Sequence, residues 1–402
     1  MNKVLLHSLT KWLLKLTVGF IVVVTVSSCD TAKPAKSNYQ WSIPSGFPKP
    51  QVPISNEMST AKVALGRALF YDKNLSFNQQ QSCESCHQQQ FAFAEKQLTS
   101  IGTTGQVHRR NSPALVNIAY NKTLTWAHDS LTSLEQQILL PMFGESPIEL
   151  GITNHDEEVL ARFNSPEYSP LFAAAFPQQE VSFNLIVNAL ASFVRSLISL
   201  NSPFDRYAYQ ADDNAISPSA LRGMNLFFSE KLECHHCHGG FNFTQSTSHE
   251  KQLIDRRPFH NTGLYFTGID MKNNIDKSEA SAGYPIGDIG LGEISTLARD
   301  NGRFRAPTLR NVEVTAPYMH DGSISTLSEV LDFYAAGGRN ITKGVYQGDG
   351  RKNPLKSPFI KGFEMSEQDK TDLLNFLKTL TDQSFLENPN FAKPELINKR
   401  ES

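Results

Sequence analysis

Cys83-Glu84-Ser85-Cys86-His87 and, far downstream, Cys234-His235-His236-Cys237-His238 are the two stretches from which the fold can be read. In each, two thiols separated by two residues can add to the two vinyl groups of a haem, and the histidine that follows directly is placed to bind the iron. A C-x-x-C pair also suits a zinc knuckle or a redox dithiol. A zinc ribbon keeps its two pairs close in sequence, however, and a thioredoxin-like motif needs no histidine next door. Here the pairs lie far apart and both carry the histidine. Each therefore reads as a covalent haem c site, one held by Cys83, Cys86 and His87, the other by Cys234, Cys237 and His238. His235 and His236 fall inside the second loop, at positions where haem attachment accepts any residue.

Only one of the five cysteines, Cys29, lies outside these motifs. It ends a segment in which Lys3, Lys11 and Lys15 precede an uncharged apolar run from Leu16 to Val26, too short to span a bilayer comfortably. That segment reads as an export signal. Val26-Ser27-Ser28-Cys29 resembles a bacterial lipobox, so the expected layout is a lipoprotein-type signal over residues 1–28 and a lipid anchor on Cys29. A Pro-, Ser- and Lys-rich tether follows over 29–53, placing the protein on the periplasmic face of a membrane. No cysteine is left for a disulfide, and export agrees with haem attachment, which in bacteria takes place outside the cytoplasm. A formal net charge of −2 without any long basic run excludes a nucleic-acid partner.

The 402 residues are enough for two domains. Ser59 is an N-cap ahead of the helical pattern Val63, Leu65, Ala68, Leu69, and Asp156 to Phe163 is a second short helix candidate. Leu185, Ile186, Ala189, Leu190, Phe193, Val194 and Leu197 recur at helical spacing between Ser182 and Leu200. Asn201-Ser202-Pro203 breaks that helix and marks the boundary between domains over 54–202 and 203–402. Ser217-Pro218 starts the next helix, Thr326 with Glu329 forms a capping box, Gly337-Gly338 closes it, and a last helix begins at Ser366. Gly66-Arg67-Ala68-Leu69-Phe70 before the first motif echoes Gly223-Met224-Asn225-Leu226-Phe227 before the second, which suggests two related haem domains. Asp270 to Gly302 is a long Gly-, Asp- and Asn-rich loop. With no run of alternating strands, the expected fold is mainly α: two cytochrome c-like haem domains with long irregular loops.

Further motifs lie between and after the haem loops: Arg110-Asn111-Ser112-Pro113, Trp126, Leu134-Glu135-Gln136-Gln137 with Pro141, and Pro147-Ile148-Glu149. Later come Phe259-His260-Asn261-Thr262-Gly263, an unbroken run from Phe304 to Val312, and Thr315-Ala316-Pro317-Tyr318-Met319-His320-Asp321-Gly322. As a set, from about Pro53 to Leu380, this resembles the bacterial diheme cytochrome c peroxidase and MauG superfamily. The resemblance implies a peroxidatic haem on His87 and an electron-transfer haem on His238. It assigns proton transfer at hydrogen peroxide to Glu149, at a slightly longer spacing from Pro141 than the family pattern, with Gln137 beside it. Trp126 becomes the indole between the haems, and Asn111 with the carbonyls of Thr315 and Pro317 an inter-haem calcium site. The second iron would be bound opposite His238 by Tyr334, or by its rival Met319. His260 and His320 read as supports of the second pocket. The family's reductively activated members carry a histidine in a Ser-Ile-Gly-His turn that blocks the first iron. This chain reads Ser100-Ile101-Gly102-Thr103, which leaves that iron open unless His108 takes the histidine's place.

The implied activity is reduction of hydrogen peroxide to water with electrons from a small redox donor such as a cytochrome c or cupredoxin. A MauG-like oxidation of a partner protein and a pure electron-transfer cytochrome remain alternatives, and a homodimer is compatible with either enzyme.

Overall fold

The first haem loop follows directly on a short helix, Thr60–Tyr71, whose N-cap is Ser59: its hydroxyl accepts the Lys62 N–H at 3.1 Å. The structure, a computed structural model of the chain, describes residues 39–249, 258–266 and 288–397. The expected signal segment, Cys29 with its lipid, the first ten residues of the tether and the first part of the Gly-rich loop lie outside those residues. Among the described residues no helix is long and apolar enough to cross a membrane.

The mainly helical reading holds. Sheet structure among the described residues amounts to two short antiparallel pairs, Phe259–His260 with Phe304–Arg305 and Asn340–Ile341 with Gly348–Asp349. The helix expected between Ser182 and Leu200 runs Phe183–Arg195 and is buried on nearly every side. It stops before Leu200 because Ser196 and Leu197 bond back onto Ser192 and Val194 in a last tightened turn. Ser217 caps the helix Pro218–Phe227, Thr326 and Glu329 form the reciprocal capping box of Leu327–Ala335, and Ser366 with Asp369 does the same for Glu367–Lys378. Beyond Ala335, Gly337 and Gly338 at φ 72° and 129° turn the chain away.

The two echoing sequence stretches do the same work in each half. The helix Thr60–Tyr71 crosses Phe183–Arg195 at Gly66, where a Cβ would land on the Ala189 carbonyl oxygen. The helix Pro218–Phe227 crosses Glu367–Lys378 at Gly223, where a Cβ would land on the Asp372 carbonyl oxygen. A glycine at each crossing lets two backbones touch, which no larger residue permits.

Around the first crossing lies a core of Leu65, Leu69, Phe70, Phe93, Leu190 and Phe193; around the second, one of Phe204, Phe227, Phe243, Leu373 and Phe376. A third cluster, Leu264, Tyr265, Phe304 and Phe333, supports Trp126, Met319 and Tyr334. The end of the chain returns to the first core through Phe385, Leu386 and Ile397. Beside the second core, Arg310 and Asp205, both fully buried, pair through two 2.8 Å bonds, and Arg310 also donates to the Phe241 carbonyl. Two charges this deep are tolerable only because guanidinium and carboxylate meet fork to fork and their remaining groups are bonded as well.

Candidate haem sites

Each motif histidine is held by one nitrogen. His87 Nδ1 lies 2.8 Å from the Phe93 carbonyl, and His238 Nδ1 lies 3.1 Å from the Pro307 carbonyl and 3.3 Å from that of Phe243. A carbonyl only accepts, so Nδ1 carries the hydrogen and Nε2 keeps its lone pair, the tautomer a metal-bound imidazole needs. Phe93 and Phe243 occupy matching places. Both are fully buried with left-handed backbones, φ 61° and 50°. The repeat that places them, Phe91-Ala92-Phe93 and Phe241-Asn242-Phe243, was legible in the sequence but carries no side-chain chemistry, and motif reading passed over it.

The four thiols are free. Burial pushes Cys83, Cys86 and Cys234 up to about 12 and Cys237 up to about 11. A zinc site or redox dithiol works through thiolates, which these surroundings disfavour. Among the described residues, the one cluster of three or more converging His, Cys, Asp or Glu ligand atoms contains none of these cysteines. The second motif instead opens onto a largely apolar cavity, lined by Cys234, Cys237 and His238 together with Leu309, Val312, Leu331 and Leu373. Paired thiols, an imidazole presented through Nε2 and apolar walls fit a covalent haem.

The same cavity is lined by both Tyr334 and Met319, so the structure brings both candidate ligands to the second site. Burial, with the Cys237 and Cys234 thiols nearby, raises the Tyr334 phenol above its ordinary value, and no hydrogen bond to its hydroxyl occurs among the described residues. Trp126, Asn111, Thr315 and Pro317 line the cavity too. Trp126 Nε1 donates to the Asn111 carbonyl at 2.7 Å. The Asn111 amide nitrogen donates to the carbonyls of Gln97 and Leu98, and among the described residues no hydrogen bond to its Oδ1 occurs. His260 bonds Gln245, His320 stacks on Phe304 at 3.5 Å between centroids, and burial lowers both imidazoles to about 4. At neutral pH they are uncharged supports of the pocket wall.

Near the first motif, Glu149 sits in a hollow that keeps 40% of its side-chain surface reachable. Burial raises its carboxyl to about 7, and its negative charge contributes a little to the raised values of Cys83 and Cys86, which puts it within electrostatic reach of the first motif. Its backbone is held by the hairpin of residues 101–107: Thr103 N–H donates to the Glu149 carbonyl at 3.0 Å, and Gly102 lies so close to the Ile148 carbonyl that a Cβ has no room. Thr103 Oγ1 is buried without a partner against Gly151. His108 Nδ1 stands 4.0 Å from Glu149 Oε1, a neighbour that sequence reading considered only as an iron ligand. Gln137, on the helix Leu134–Phe143 capped by Ser133, has its Oε1 buried without a partner.

Comparison with known proteins agrees with this geometry. Residues 60–214 match the family model described as di-haem cytochrome c peroxidase. The chain is 34% identical to cytochrome-c peroxidase IdrP1 of Pseudomonas sp. (strain SCT), over 83% of this chain and 85% of that one. It is 31% identical to the methylamine utilization protein MauG of Methylorubrum extorquens, over 92% and 94% of the two chains. A crystal structure of a MauG-like protein associated with microbial copper homeostasis superposes with a TM-score of 0.83 at 43% identity, covering 89% of this chain and 99% of that one. Two haem c loops with matching histidine anchors, on a chain this similar to peroxidases and MauG over most of its length, make it a member of the di-haem cytochrome c peroxidase family and an oxidoreductase.

Proposed function

We propose that this protein is an exported enzyme that reduces hydrogen peroxide to water with electrons from a small redox donor, a cytochrome c or cupredoxin. The observation that carries the reading is Glu149: a carboxyl raised to about 7, within electrostatic reach of Cys83 and Cys86, is balanced at neutral pH between taking up a proton and giving one back. Residues 54–202 would hold the peroxidatic haem through Cys83, Cys86 and His87, and residues 203–402 the electron-transfer haem through Cys234, Cys237 and His238. When bound, the haems would supply redox-active iron, the first for the reaction with peroxide and the second for holding an electron. Glu149 takes a proton from the near oxygen of peroxide at its carboxylate and returns it to the departing one. The Gln137 amide, with its carbonyl oxygen unpaired, orients the same small molecule.

Trp126 offers an indole for an electron or hole, fixed by its bond to Asn111. A calcium ion held by Asn111, Thr315 and Pro317 would couple the halves. The reading is supported by three oxygens, Asn111 Oδ1 and the two carbonyls, that face no donor among the described residues and suit a hard cation. Cys29 would tether the enzyme to the membrane.

A second reading, MauG-like oxidation of a partner protein, is favoured by Tyr334 on the cavity wall, since a phenolate would lower the second haem's potential and stabilise its oxidised states. The 43%-identical MauG-like structure points the same way. Rapid mixing of the fully oxidised protein with peroxide, then with reduced cytochrome c, tests both. A spectral change within the mixing time followed by donor turnover supports the peroxidase. A long-lived oxidised form that ignores the donor supports the second reading, and no spectral change overturns both.

A further inference from the structure

The two residues between Cys234 and Cys237 have no part in the chemistry above. The haem cavity is lined by both cysteines and by His238 but by neither His235 nor His236, so these imidazoles face away from it. They converge instead, partly exposed, on two carboxylates contributed by the turn just upstream. His236 Nε2 lies 3.1 Å from Glu233 Oε2 and 3.3 Å from Glu230 Oε2, and His235 Nε2 lies 3.4 Å from Glu230 Oε1. The ligand atoms of Glu230, His235 and His236 all fall within 4.8 Å of one another.

Ordinary surface pairs match one cation to one anion and contribute little. This group is different. The rings stand 4.2 Å apart and present the same nitrogen to a shared carboxylate. His235 has its Nδ1 buried without a partner, so Nε2 is its reachable donor. The 3.3 and 3.4 Å separations between Glu230 and the two imidazoles are the spacing that a single ion with bonds of about 2.0–2.1 Å imposes on its ligands.

The arrangement is also held before any ion arrives. Glu233 N–H bonds the Ser229 carbonyl and His236 N–H the Glu233 carbonyl, while the His236 ring stacks on Phe359 at 4.4 Å and 16°. Thioether bonds at Cys234 and Cys237 would fix the loop further. Two imidazoles and a carboxylate suit a borderline late-transition dication and not a hard one such as calcium or magnesium.

We propose that Glu230, His235 and His236 form a binding site for one late-transition-metal dication, Cu2+ or Zn2+, on the outer face of the second haem-attachment loop, with Glu233 bonded to His236 beside it. An ion there adds positive charge to the loop that ends in His238, so binding raises the midpoint potential of the second haem.

The test uses the haem-loaded, tag-free chain freed of metal on a chelating resin, titrated with Zn2+ in a calorimeter and with Cu2+ by electron paramagnetic resonance. One equivalent should bind, with nitrogen hyperfine structure in the copper spectrum. His236→Gln should weaken binding about 10–100-fold or more. Glu230→Gln, outside the attachment loop and so without risk to haem uptake, should weaken it as well. An equal concentration of Ca2+ or Mg2+ should not displace Zn2+. Absence of one-equivalent binding, unchanged affinity in both variants, or displacement by Ca2+ overturns the site. A second-haem potential unmoved by saturating Zn2+ overturns its coupling to the haem.

Discussion

The pH dependence of the first reaction with peroxide is where Glu149 can be caught at work. Its carboxyl is raised from 4.5 to about 7, and burial is the cause. Acting as base, Glu149 must be ionised when peroxide arrives, and a group with this pKa is ionised to about 9% at pH 6 and about 91% at pH 8. The rate of the first spectral change should therefore climb about tenfold between those values and then level off. A glutamate at its usual value would be ionised throughout and the profile flat. His108 stands 4.0 Å away, and burial lowers its imidazole below its usual 6.5. Glu149→Gln should slow the reaction about 10²–10⁴-fold and flatten the profile while leaving both haems attached. With 40% of its side chain reachable by solvent, the shift is screened in any stability measurement, and kinetics is the place to read it. A flat wild-type profile from pH 6 to 8, or a limb that survives in Glu149→Gln, would refute the assignment.

Three further outcomes follow from the geometry. Gly66→Ala and Gly223→Ala should each lower the melting temperature by several degrees, because overpacking a crossing costs about 1–3 kcal/mol and exceeds the roughly 0.5–1 kcal/mol that alanine adds to a helix; an unchanged melting curve would show that the helices separate freely. Tyr334→Phe should change the absorption of the second haem and Met319→Ala should not, whereas a near-infrared methionine-to-iron band lost in Met319→Ala would reverse the assignment. Metal analysis of the dialysed active protein should find one calcium per chain, retained by the wild type and lost in Asn111→Ala, and a wild type free of calcium would remove that site.

What could be read from the sequence was what side chains announce. The haem loops carry their chemistry in thiols and imidazoles, and the helix starts at Ser59, Ser217, Thr326 and Ser366 carry theirs in hydroxyls, so each appears in the structure where the residues place it. What stayed hidden depends on backbone. The carbonyls of Phe93, Phe243 and Pro307 that fix the histidine tautomers belong to residues whose side chains say nothing about it. The surroundings of Glu149 are set by a hairpin whose decisive member, Gly102, matters because it lacks a side chain. A second repeat was also missed: Pro113 to Ile118 and Pro307 to Val312 share proline, leucine and asparagine at matching places, and Asn117 and Asn311 both adopt left-handed backbones, φ 54° and 58°. The two asparagines meet at Ser199: Asn117 Oδ1 accepts its N–H and Asn311 Nδ2 donates to its hydroxyl. The sequence shows the two halves of that repeat far apart, and only the fold shows them joined.

The same backbone logic connects the two haem sites. From Thr103, bonded to the Glu149 carbonyl, the hairpin returns through His108 directly into Arg109, Arg110 and Asn111. Arg110 is pinned by two bonds to Asp288, at 2.8 and 2.6 Å, and Arg109 by Glu293. Asn111 N–H donates to the His320 carbonyl, its own carbonyl accepts from the Trp126 indole, and the Trp126 carbonyl accepts from Arg305 N–H. Each link is a hydrogen bond of 3.0 Å or less, and apart from the exposed Arg109–Glu293 pair each is carried by backbone or by a side chain that is at least partly buried. Glu149 and Trp126 are therefore held by opposite ends of one short, stiff segment. Reorganisation at the Asn111 end would have to break bonds at a buried residue, each leaving an unpaired polar group at a cost of about 1–3 kcal/mol. If, as proposed, Glu149 handles the proton and Trp126 passes the electron, a connection of this kind would let both act without a loop rearrangement between them, the behaviour expected of a chain whose Ser-Ile-Gly turn ends in Thr103 and not in a histidine.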